Sequence, residues 1–111
     1  MKKFLAKQVA IDAVIAIRPL MSKIKQHDND LYKQTKRAMN SAVLNVAEGN
    51  RRFGRDRLHL FHISIGSADE VITALELSVA WGYISELDIE FPISLLSKFI
   101  GMTFNLTKCK K

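Results

Sequence analysis

The stretch RAMNSAVLNVAEGNRRFGRDRLHLFHISIGSADEVITALELSVAW, from Arg37 to Trp81, decides the fold. It opens as an apolar helix and halts at Gly49. It then crosses a turn where Arg51, Arg52, Arg55 and Arg57 surround Phe53 and Gly54. Beyond the turn, Leu58, Phe61, Ile65, Ala68, Ile72, Leu75 and Val79 alternate spacings of three and four. Residues so spaced share one helix face, and a sustained alternation is the seam of a helix in a bundle. The pattern predicts a helix over 56–81. A second row, Leu60, Ile63, Ser67, Glu70, Ala74, Leu77 and Trp81, implies that this helix buries more than one face. Either it is the most central helix, or its second face meets another subunit.

Upstream, Leu31, Ala38, Ala42 and Val46, with Met39, Val43 and Ala47 beside them, predict a helix over 30–48. Lys33, Lys36, Arg37 and Asn40 fill its polar arc, and Gly49 is placed as a left-handed C-terminal cap. Further upstream, Leu5, Val9, Ala13, Ala16, Leu20 and Ile24 predict a helix over 4–26. Pro19 lies inside it, and its missing amide predicts a kink or break. Asp28-Asn29-Asp30 offers capping oxygens for the next helix. Downstream, Gly82 ends the third helix, residues 85–88 read as a turn, and a fourth helix is predicted over 90–108. Pro92 would fall in its first turn, and Leu96, Phe99, Thr103 and Leu106 form its core stripe. No β-type alternation appears. The expectation is an all-α, up-down antiparallel four-helix bundle, a single domain over 1–111.

Apolar residues make up 48% of the chain, enough for a core without staples. Lys and Arg number 17 against 11 Asp and Glu, for a net charge of +6. That balance raises nucleic acid as a partner, although basicity also serves solubility alone. Cys109 is the single cysteine, so no internal disulfide forms, which suits a reducing compartment. Lys2 and Lys3 before an apolar stretch resemble a secretory leader, but Lys7, Gln8 and Asp12 interrupt it. No apolar run reaches the roughly 18 residues of a membrane span. A cytoplasmic protein with no membrane partner is expected, ending in a solvated basic tail, Lys108-Cys109-Lys110-Lys111.

The candidate site is the arginine turn together with the helix leading into it: Lys33, Lys36, Arg37, Arg51, Arg52, Arg55 and Arg57. Guanidinium groups grip phosphate in a planar, two-pronged way, so such a cluster can hold a nucleic-acid backbone. An exposed Phe53 could stack on an unpaired base. The competing reading is a solvated turn whose charges pair with neighbours such as Asp56. No base-reading motif is visible. His59 and His62 are three apart, but no further ligands follow at a metal-binding spacing, so neither a metal nor a cofactor is expected. Arg57 and His62 have the spacing found in a family of small helical ribonucleases, which keeps an enzyme reading open. Asn45, Glu48, Ser67 and Glu70 read as a polar network between the second and third helices.

Arg37-Ala38, Ser41, Asn45-Val46-Ala47-Glu48-Gly49, Arg52, Phe61 and Gly66-Ser67-x-x-Glu70 carry a family resemblance, strongest over residues 31–83. The chain resembles the bacterial four-helix-bundle family first noted in intervening sequences of large-subunit ribosomal RNA genes. The accessory variability determinant of diversity-generating retroelements belongs to the same fold group. Arg55-Asp56-Arg57 and Ala80-Trp81-Gly82-Tyr83 incline toward that branch. An early Trp is missing from the first helix, and Pro19 departs from the family pattern. The resemblance implies a homopentameric barrel with a basic surface, binding to nucleic acid and to a reverse transcriptase, and no catalytic residues. The expected function is a non-enzymatic RNA- or DNA-binding accessory protein. The alternatives are a ribosomal intervening-sequence bundle of another role, the small ribonuclease, and a purely structural or protein-interaction module.

Overall fold

The computed structural model describes residues 4–109. Four helices follow in order: α1 over Leu5–His27, α2 over Asn29–Asn50, α3 over Gly54–Ala80 and α4 over Glu86–Thr107. Among the described residues there is no strand. Each helix packs on two others, in the pairs α1–α2, α2–α3, α3–α4 and α4–α1, with α2–α3 the most extensive. The result is a square, elongated bundle of 44 × 22 × 22 Å. Lys2, Lys3, Lys110 and Lys111 lie outside the described residues.

The core runs along the bundle axis. α1 contributes Val9, Ala13, Ile17, Leu20 and Ile24; α2 contributes Leu31, Ala38, Met39, Ala42 and Val46. Phe61, Ala68, Val71 and Leu75 come from α3, and Ile89, Leu96 and Phe99 from α4. The seam of α3 is turned by one position from the predicted one. Phe61, Ala68 and Leu75 are buried as expected, but the positions between them are Arg57, Ser64, Val71 and Ser78. Leu58 is 40% exposed, and Ile65, Ile72 and Val79 are only half-buried at the flanks. Small polar side chains can occupy a seam when the backbone satisfies them. Ser64 Oγ donates to the Ala42 carbonyl across the α2–α3 interface, and Ser78 Oγ donates to the Ala74 carbonyl at 2.8 Å.

Three local expectations are corrected. Of the kink or break expected at Pro19, the break does not occur: α1 runs through the exposed proline, and the Ile15 carbonyl it orphans belongs to a residue 53% exposed. Solvent can satisfy a group that would have broken a buried helix. Gly49 does not cap α2. It lies inside the helix, and the Phe61 ring rests on it so closely that an added Cβ would lie 2.7 Å from Cδ1 and Cε1. α4 begins at Glu86 rather than at residue 90. Ser85 accepts from the Asp88 amide at 3.2 Å while Asp88 accepts from the Ser85 amide at 2.9 Å, a reciprocal capping box. The Ser85 amide first, and the Ser85 hydroxyl second, hold the Asp88 carboxyl below its ordinary pKa. Pro92 therefore sits past the first turn, buried in the core.

At one end of the bundle, Asp28 caps α2 by accepting from the Leu31 amide at 2.9 Å, and its second oxygen accepts from the Tyr83 hydroxyl at 3.0 Å. The Tyr83 ring stacks on His27 with centroids 5.1 Å apart. Burial first, and the Asp28 carboxylate second, raise the Tyr83 pKa. Gly82, at φ 83°, reverses the chain after α3, as expected of a glycine placed just past a helix end.

Candidate nucleic-acid interface

The arginine turn lies at the other end of the bundle, and the four arginines have different fates. Arg57 points inward and is 7% exposed. Its Nη1 donates to the carbonyls of Gly49 at 3.3 Å and Asn50 at 3.4 Å. Its guanidinium carbon sits 4.6 Å over the Phe61 ring. These are the last carbonyls of α2, so Arg57 closes that helix with a cation where the helix dipole favours one. The Nε is buried without a hydrogen-bond partner.

Arg52 Nε donates to Glu48 Oε2 at 2.8 Å, and Arg51 lies 3.8 Å from Glu48 Oε1. The hydrogen bond and charge of Arg52 lower the Glu48 pKa, and Glu48 in turn raises that of Arg52. Arg55 is exposed in the first turn of α3, next to Asp56. Gly54 opens that helix at φ 61°. Phe53, its N-cap residue, is 69% exposed.

Lys33, Lys36 and Arg37 are exposed on the N-terminal half of α2. Lys33 and Arg51 share one face of the helix but stand about five turns, roughly 27 Å, apart. The seven predicted residues thus form two exposed groups at opposite ends of α2, with Arg57 withdrawn into the bundle. No ion pair within 4 Å engages Lys33, Lys36 or Arg37 among the described residues. Lys33, Lys36, Arg37, Tyr32 and Asn40 line a shallow cavity of about 370 Å³.

Other polar candidates resolve differently. Ser67 Oγ donates to Ser41 Oγ at 2.8 Å, and Asn45 Nδ2 donates to the Ser41 carbonyl at 2.8 Å. Asn45 and Ser67 thus join the expected α2–α3 network, whereas Glu48 turns to the arginines. Glu70 is exposed and lines a cleft of about 220 Å³ with Arg37, Ser41 and Ser67. His59 and His62 are both exposed. Among the described residues, no third His, Cys, Asp or Glu gathers with them. Arg57 and His62 are roughly 140° apart around α3, one facing in and one out, so they do not converge on a shared phosphate. Among the described residues no helix is long and apolar enough to cross a membrane.

Sequence reasoning passed over Tyr32 and Arg18. Tyr32 carries Lys25 Nζ at 5.1 Å and Lys36 Nζ at 6.0 Å from its ring centroid. Its place directly before Lys33, one turn from Lys36, was the available signal.

The motif residues quoted above therefore concentrate where α2 meets α3: Ser41 with Asn45 and Ser67, Gly49 with Phe61, Glu48 with Arg52. The fold matches the crystal structure of a protein of unknown function from the S23 ribosomal protein family of Bacteroides thetaiotaomicron, with a TM-score of 0.84. Identity is 20%, and the match covers 94% of this chain and 99% of that one. No curated protein is matched. The family model described as 23S rRNA-intervening sequence protein matches residues 2–105, and the chain belongs to that family.

Proposed function

We propose that this chain is a non-enzymatic, oligomeric, basic bundle that binds RNA or DNA through phosphate contacts. The observation that carries the reading is the row of exposed cations on α2, in which Lys33, Lys36 and Arg37 have no ion-pair partner within 4 Å among the described residues. Unpaired cations along a helix offer a strand of phosphates sequence-independent, salt-sensitive attraction. Arg51, Arg52 and Arg55 form a second, weaker contact, since Glu48 already engages two of them. Leu44 on α2, Ile63 and Leu77 on α3, and Trp81 just past the end of α3 are exposed apolar groups that suit burial between copies, and a homopentamer is the assembly proposed.

Within that reading, the narrower role is accessory to the reverse transcriptase of a diversity-generating retroelement. It is supported by Arg55-Asp56-Arg57 and Ala80-Trp81-Gly82-Tyr83. Two of those residues, Arg57 and Tyr83, also have internal duties in the bundle. A role tied to ribosomal intervening sequences is the competing reading, favoured by the family match over residues 2–105. A neighbouring reverse-transcriptase gene with a template repeat separates the two.

Incubation of the purified protein with end-labelled RNA across a salt series tests the core of the proposal. Retention that weakens steeply with salt, with the RNA recovered intact, is the expected result. Cleavage that disappears in His62→Ala would instead establish the ribonuclease. No retention at low salt from a stable assembly would leave a structural module.

A further inference from the structure

A groove between α1 and α2 adjoins the cationic face. Its floor is Ile17 and Met39, both nearly fully buried. Val14, Met21 and Tyr32, half-buried, form its walls. Arg18, Lys36 and Asn40 stand exposed at its rim. The groove encloses about 290 Å³, room for one planar heterocycle. Tyr32, Lys36 and Asn40 also line the cavity that holds Lys33 and Arg37, so the two spaces adjoin. No acidic side chain lines either one.

We infer that this groove receives an unpaired nucleobase whose flanking phosphates lie on Lys33, Lys36 and Arg37, giving the protein a preference for single strands. The inference rests on the nucleic-acid reading above and specifies its ligand. An apolar slot beside a cationic shelf matches one chemical object, a flat apolar ring joined to an anion, and in a nucleic acid only an extruded base presents its face this way. Methionine sulfur is polarizable and its chain adaptable, so Met21 and Met39 can follow bases of different size. The Asn40 carboxamide carries both donors and an acceptor at the mouth, enough for one contact to a base edge. Charge complementarity favours this occupant over an apolar peptide, because Arg18, Lys33, Lys36 and Arg37 together would repel a basic segment and gain little from a neutral one.

Comparison of a single-stranded oligonucleotide with an abasic one of equal length tests the groove, since both carry the same phosphates. Wild-type protein should bind the base-bearing strand about tenfold more tightly. The preference should shrink to within about twofold in Val14→Phe and in Met21→Phe, which fill the slot from its wall, while abasic binding stays unchanged. In the wild type, the Met21 and Met39 methyl resonances should shift with adenosine monophosphate and not with ribose 5-phosphate. Equal binding of both strands would overturn the groove and leave the phosphate reading standing. Binding of neither strand would overturn both. A preference that survives in both filled variants would place the base elsewhere, and still methyl resonances would do the same. A changed assembly state in the filled variants, without base preference in the wild type, would make the groove a contact between copies.

Discussion

The two ends of α2 hold the same kind of residue and use it differently. At the C-terminal end, four arginines fall within seven residues, yet Glu48 engages Arg51 and Arg52, and Arg57 is spent on the carbonyls of Gly49 and Asn50. At the N-terminal end, Lys33, Lys36 and Arg37 are fewer but have no ion-pair partner within 4 Å among the described residues. Charge density along a chain is therefore a poor measure of charge offered to a ligand. A carboxylate one turn away, or a position on the inward face, removes a cation from the surface without removing it from the count.

The largest expected effect comes from reversing the free end. Lys33, Lys36 and Arg37, changed together to Glu, should lower nucleic-acid affinity about a hundredfold at low salt and reduce the slope of log affinity against log salt by about 2–3. The same reversal of Arg51, Arg52 and Arg55 should cost clearly less. Equal losses from the two triads, in matched salt titrations, would erase the contrast.

Next in size is Arg57→Ala. It removes one donor from each of the Gly49 and Asn50 carbonyls, the former keeping the Arg52 amide at 3.1 Å, and strips a cation from the Phe61 ring, for a destabilisation of about 1–3 kcal/mol. The salt slope of binding should not move. A variant of unchanged stability in denaturant, but with weaker salt dependence, would return Arg57 to the surface. Gly49→Ala comes third. The new methyl meets Phe61, and overpacking of this kind costs about 1–3 kcal/mol, readable as a lower denaturant midpoint.

The smallest effect is at Glu48. Glu48→Gln should release Arg51 and Arg52 and raise affinity by about two- to threefold, narrowing the gap between the ends. A pH series makes the same point. The folded-state pKa of Glu48 lies below its ordinary 4.5, so its stabilising pair with Arg52 is complete above that value. It is lost as pH falls through the lowered one. Binding that weakens rather than strengthens in Glu48→Gln would mean that the pair presents its arginines to the ligand.

The helices were legible because apolar spacing reports burial directly. Every seventh residue of α3, at Phe61, Ala68 and Leu75, is buried where the apolar spacing puts it. The intervening row departs from that spacing, because hydropathy prefers Leu58 and Ile65 to the buried Arg57 and Ser64. The bundle prefers residues small or long enough to reach a carbonyl, as Ser64 does at Ala42. Gly49 looked like a helix stop for the same reason: a glycine that ends a helix and one that admits a ring are the same letter, and only the position of Phe61 separates them. Of the candidate site, residue types were legible and availability was not. Whether a cation is paired depends on side-chain reach across turns, which spacing hints at for Glu48 and Arg52 and conceals for Arg57.

The Asp28 carboxylate gives the bundle a clasp. The α2–α3 contacts through Ser41, Ser64 and Arg57 join residues at most 26 apart, whereas Asp28 and Tyr83 meet across 55. Local closure is entropically cheaper than long closure, so the hairpin of α2 and α3 can assemble before the two turns at Asp28 and Tyr83 meet. Loss of a late contact appears in the unfolding rate alone. Tyr83→Phe should therefore shorten the lifetime of the folded bundle while its folding limb stays in place; a slowed folding limb would put the clasp in the nucleus.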